Sequence, residues 1–89
     1  MFRVVTPGFE EKFIRWTDAL DKANALIPSC KSLFEDIRIY YEDNLVWIYS
    51  RSHKYPQYIG PRIYDKLARL FIKEATEEEQ SQNSESREN

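Results

Sequence analysis

Eighty-nine residues with 13 Lys and Arg against 15 Asp and Glu fit one small, nearly neutral domain, too short for a large enclosed catalytic cleft. Cys30 is the only cysteine, so the chain forms no disulfide of its own, which points to a reducing compartment. No apolar run approaches the roughly 18 residues that cross a bilayer, and Met1–Val5 is too short an apolar stretch for a signal peptide, so a cytoplasmic location is expected.

Phe2 to Val5 is short, apolar and β-branched, and it predicts a first strand. Thr6-Pro7-Gly8 then suits a helix start, with Thr6 as cap and Pro7 in the first turn. Over residues 8–27, Phe9, Phe13, Trp16, Leu20, Ala23 and Ile27 recur at spacings of three and four, which predicts one amphipathic helix ending at Pro28.

Residues 34–51 alternate around Asp43-Asn44, which predicts a hairpin with those two residues as its turn. That register pairs Tyr41 with Val46, Ile39 with Ile48, Ile37 with Ser50, Tyr40 with Trp47 and Arg38 with Tyr49. Residues 52–61 hold Pro56 and Gly60-Pro61 and predict a loop. A second helix follows over about 61–75, with Ile63, Leu67, Leu70 and Phe71 on its apolar side.

The expected fold class is α+β in the order β-α-β-β-α, with a three-stranded mixed sheet containing a hairpin and two helices packed on one face. Residues 1–75 form the single compact domain. Residues 76–89 carry five Glu against one Arg and no large apolar residue, and are expected to be an acidic, disordered tail. Two Trp, six Tyr and five Phe give this small chain large rings with which to fill a core.

Three features bear on function. In the expected register Ile37, Ile39, Tyr41, Val46 and Ile48 point at the helices, and the other sheet face carries Tyr40, Trp47 and Tyr49 with Arg38 and Arg51 nearby. Exposed rings beside arginines suit a protein interface or the stacking of unpaired bases; the plainer reading is a covered face built of good strand formers. Next, Arg62, Lys66, Arg69 and Lys73 recur at spacings of four, three and four, a basic arc on the second helix. Such an arc suits phosphates, an acidic protein surface, or Glu77, Glu78 and Glu79 folding back on it; a solvated charged face is again the plainer reading. Third, the loop from Arg51 to Tyr58 mixes Lys54, Tyr55 and Pro56 with His53, the only histidine.

Several chemistries lack their residues. One His and one Cys offer no metal-ligand spacing, and no cofactor or metal is expected. Gly8 and Gly60 are the only glycines, so there is no glycine-rich phosphate loop. Cys30 follows a helix end, where the dipole disfavours a thiolate. The expectation is therefore a small non-catalytic binding or regulatory protein acting through a protein–protein interface on the aromatic sheet face (Arg38, Tyr40, Trp47, Tyr49, Arg51). Its partner is another protein or a second copy of itself, not a membrane. The alternative is a nucleic-acid-binding module using Lys54, Arg62, Lys66, Arg69 and Lys73. A small ribonuclease-like enzyme relying on His53 is a minor alternative.

Overall fold

The structure, a computed structural model, describes residues 1–53 and 55–88, with side chains as far as Glu79. Two helices lie on one face of an antiparallel sheet, so the class is α+β as the sequence predicts. The sheet has five strands rather than three, in the order β2-β1-β3-β4-β5, and none of its pairs is parallel. The elements are β1 (Phe2–Thr6), β2 (Phe9–Phe13), α1 (Trp16–Leu26) with a 3-10 turn (Ile27–Ser29), β3 (Asp36–Tyr41), β4 (Asn44–Ser50), β5 (Gln57–Tyr58) and α2 (Ile63–Glu88).

The largest departure from the sequence reading is at residues 8–13. Thr6 pairs with Phe9 across a two-residue reversal, Pro7-Gly8, and Gly8 adopts φ 81°. Proline followed by a residue at positive φ is the signature of a type II turn, so this segment starts a hairpin and not a helix. Phe9 and Phe13 then lie on a strand, and α1 begins only at Trp16. With β1 already followed by a hairpin partner, the chain crosses through α1 and returns β3 antiparallel to β1.

The second hairpin forms where the sequence predicts it, but its turn is Glu42-Asp43, so Tyr41 faces Asn44. Glu42 takes φ 55°. Met1 holds it there: the N-terminal amine contacts the Glu42 carboxylate at 3.2 Å, and the Glu42 N–H donates to the Met1 carbonyl at 3.2 Å. A bulge between Ile39 and Tyr40 then shifts the register, so that Ile39 faces Trp47, Arg38 faces Ile48 and Ile37 faces Tyr49. Because strand side chains alternate, the shift exchanges faces along β4. Trp47 and Tyr49 turn toward the helices, and Ile48 turns outward.

The core lies between sheet and helices. It is built from Phe2 and Val4 of β1, Trp16, Ala19 and Ala23 of α1, Ile37 and Ile39 of β3, Val46 and Trp47 of β4, and Leu67 of α2. Phe2 sits against both Trp16 and Tyr41, with ring centroids 5.5 and 4.9 Å apart. Such tilted pairs suit the ring quadrupoles.

α2 starts at Ile63, after Gly60 at φ 110° and Arg62 at φ 61°. It runs to Glu88, well past the end near residue 75 that the sequence predicts. No Pro or Gly stops it, and Glu and Gln are good helix formers. At about 1.5 Å per residue it is roughly 39 Å long, which accounts for extents of 51 × 28 × 23 Å. No helix among the described residues is long and apolar enough to cross a membrane.

Candidate interaction site

The helix-free sheet face carries Arg3 and Val5 of β1, Arg38 and Tyr40 of β3, and Leu45 and Ile48 of β4. Arg38 and Tyr40 thus stand where the sequence reading put them. Trp47 and Tyr49 do not: Trp47 is 0% exposed and Tyr49 packs against the core. The aromatic trio expected on this face therefore does not exist. Arg51, just past β4, donates to the Lys31 carbonyl.

The cations of this face are already partnered. Arg3 reaches Glu10 at 2.8 Å and lies over the Tyr40 ring, 4.9 Å from its centroid. Arg38 pairs with Asp36 at 3.0 Å. Hydrogen bonding to Tyr40, and then to Asp36, pushes the guanidinium pKa further up. Val5, Leu45 and Ile48 are half-buried. Such a face matches an ordinary solvated antiparallel sheet.

The basic group separates differently. Lys66, Arg69 and Lys73 are exposed on one arc of α2, and none is in an ion pair among the described residues. Arg62 precedes the helix, in the turn that starts it. Lys54 lies outside the described residues. Glu77, Glu78 and Glu79 continue the same helix instead of folding back over Lys66 and Arg69, and Glu77 stands one turn beyond Lys73 at the i,i+4 spacing of helix neighbours.

A surface the sequence reading missed lies between the helices. Trp16, Leu20, Tyr58, Tyr64, Leu67, Ala68, Phe71 and Ile72 line an open groove of about 260 Å³. Tyr64 is 62% exposed, Phe71 43% and Ile72 65%. Tyr58 meets Tyr64 edge-on at 5.0 Å and Trp16 at 6.4 Å. Burial, and then the neighbouring Tyr64, pushes the Tyr58 pKa up. The signal was present in the sequence. Apolar residues of α2 occupy two stripes, one through Ile63, Leu67 and Leu70 and one through Tyr64, Ala68, Phe71 and Ile72. That is wider than one packed face requires.

Glu74 ties α2 to the start of α1. It is a charged residue only 6% exposed. Its carboxylate accepts the backbone N–H of Trp16 at 3.0 Å and of Thr17 at 2.8 Å. Arg15, which precedes α1, supplies no side-chain cap. Glu74 therefore caps α1 from another helix, satisfying two N-terminal donors and complementing the dipole. Arg15 closes over it, with its guanidinium donating to the Glu74 carbonyl at 3.2 Å and lying 3.9 Å from Glu78.

Remaining reactive groups are modest. His53 Nδ1 is 2.8 Å from the Ser50 hydroxyl and 3.4 Å from that of Ser52, within the turn after β4. Burial, and then Glu35 and Asp36, push the Cys30 thiol pKa up, away from nucleophilic use. Among the described residues no group of three or more His, Cys, Asp or Glu converges as a metal site would require.

The fold and this surface define a small α+β protein with a bare apolar strip along its long helix. Compared with family models, with curated proteins and with solved structures, the chain gives no match. Surface chemistry alone therefore carries the functional reading.

Proposed function

We propose that this chain is a small non-catalytic binding protein that docks a helix of a partner protein into the groove between α1 and α2. The observation that supports it is the run of Tyr64, Phe71 and Ile72 left exposed beside Trp16, Leu20 and Tyr58. Contiguous apolar surface on a small domain marks interaction sites, and aromatic side chains are enriched in interface cores. The sheet face, by contrast, has its arginines already paired. The interface expected on the sheet thus moves to the helical side.

A photo-crosslinking side chain at Ile72, compared with one at Lys12 on β2, tests this reading. Protein adducts are expected from position 72 and not from position 12. Equal adducts from both, or none from 72, would sink it.

A second reading rests on the three α2 cations without described partners: an arc that binds nucleic acid phosphates. Counterion release then makes affinity fall steeply with salt, and Lys66→Ala and Arg69→Ala each reduce the slope by about one. No low-salt gel shift with single-stranded or duplex probes would dispose of it.

A further inference from the structure

We propose that a second cavity, on the other flank of α2, binds a small amphipathic carboxylate, one negative head on an alkyl chain or aryl ring. The cavity lies between the first turns of α2, the β3–β4 turn and the start of β1, and its volume is about 410 Å³. Phe2, Val46 and Leu67 are buried and form its floor. Tyr41, Ile63 and Leu70 are its partly exposed walls, and Asn44 and Lys66 are its two polar residues. Leu67 stands between this cavity and the groove around Tyr64, and no other residue lines both.

Three properties of the lining choose the ligand. The first is size. An apolar cavity of about 150 Å³ takes one benzene ring, so this one takes two rings or a chain of roughly eight to twelve carbons. The second is polarity. The floor and walls are apolar or aromatic, so alkyl or aryl carbon gains from every side. A nucleobase buried there would leave most of its edge donors and acceptors unpaired. The third is charge. Lys66 is the one charged residue of the lining among the described residues, and it is in no ion pair among them. Its helix neighbours at three and four residues are Arg62, Ile63, Arg69 and Leu70, none of them an acid. The acids of the nearby turn are engaged elsewhere: Glu42 contacts the Met1 amine, and Glu42 and Asp43 line a separate hollow with Arg3 and Lys12. The Lys66 ammonium sits on a flexible four-carbon stem that reaches across the mouth of the cavity, and the Asn44 amide adds a second donor. Two donors beside an apolar hollow match one carboxylate on a hydrocarbon, whereas a phosphate dianion would meet a single cation in the lining.

The test is titration of the full chain with octanoate and with octan-1-ol, a neutral ligand of the same length, followed by amide and methyl NMR shifts. Octanoate is expected to bind one to one and to saturate below about 1 mM. It should bind about tenfold more tightly than the alcohol, the scale of a hydrogen bond to a charged group. The shifts should centre on Val46, Ile63 and Leu70. Lys66→Met keeps the stem and removes the charge, so octanoate falls to the affinity of octan-1-ol. Leu70→Trp fills the hollow and abolishes saturable binding of both. Circular dichroism melts that match wild type show that each variant keeps its fold.

Absence of saturable octanoate binding overturns the site. Equal wild-type affinity for octanoate and octan-1-ol, or a preference that survives Lys66→Met, overturns Lys66 as the partner of the carboxylate and with it the ligand class. Shifts centred on Phe71 and Ile72 put the ligand in the other groove and overturn the assignment. Neither substituted residue lines that groove, so failure here leaves helix docking standing, to be judged by the crosslinks from position 72.

Discussion

Glu74→Ala removes the side chain that caps α1, and the structure sets the size of the effect. Two backbone donors, on Trp16 and Thr17, lose a charged acceptor at 3.0 and 2.8 Å. Trp16 is itself buried, so water replaces that acceptor poorly. Hydrogen bonds to charged groups are worth about 1.5–3 kcal/mol each, and loss of a cap costs about 0.5–2 kcal/mol. These overlap and do not add, so about 3 kcal/mol is expected for the whole site. For a domain of this size that corresponds to a fall in Tm of about 12–24 °C. It also removes a large share of a total stability on the order of 5–15 kcal/mol. Glu74→Gln keeps an amide oxygen for one donor and loses the charge that faces the helix dipole, so it should cost roughly half as much. Thermal unfolding followed by circular dichroism and by tryptophan fluorescence reads both variants. If Glu74→Ala melts within about 3 °C of wild type, less than 1 kcal/mol, the cap contributes little and the account of α1 is wrong.

Trp47→Ala is expected to cost about 3–5 kcal/mol and to unfold much of the population, because the ring is fully buried. Trp47→Phe should cost under half as much, since it keeps most of the buried ring and removes an indole N–H that has no acceptor at hydrogen-bond distance among the described residues; urea midpoints at unchanged m compare the two. Gly60→Ala places a Cβ 2.9 Å from Ile63 Cγ1 at φ 110° and should destabilise by about 1–3 kcal/mol. Gly8→Ala, at φ 81° with open space around it, should cost about 1 kcal/mol, so equal effects in the same melts would remove the steric argument. Tyr58 favours its neutral form in the folded state, so its contribution to stability is complete below the ordinary value of 10.0 and is lost as pH rises from there through the higher folded value. Tyr58→Phe should flatten that alkaline loss in denaturation midpoints taken from pH 9 upward, and an unchanged slope would assign the loss to other groups.

The elements were legible in the sequence wherever a single period ruled. The β3–β4 hairpin and the start of α2 fall close to where alternation and helical spacing put them. Phe9 and Phe13 misled because a spacing of four reads as a helix face, although it also keeps two strand residues on one side. Pro7-Gly8 is equally ambiguous as letters, and only the left-handed glycine resolves it as a turn. The turn sits one residue earlier than expected, where Met1 contacts Glu42 across 41 residues, which no local pattern carries. The bulge between Ile39 and Tyr40, equally unmarked in the sequence, then moved Trp47 from the expected interface into the core. Glu74 escaped notice because it looks like one more acid in a charged helix, and its role exists only once α1 is folded beside it.

The order of strands has a consequence for how copies of this chain can meet. One border of the sheet is β2, where Glu10, Glu11 and Lys12 are exposed in succession. The other is β5, only two residues long and enclosed by Pro56 and Gly60-Pro61. Charges and brevity are the devices by which natural sheets refuse a further strand. Strand-by-strand growth into fibres is thereby discouraged at both borders even when the chain is concentrated, leaving the helical side for assembly.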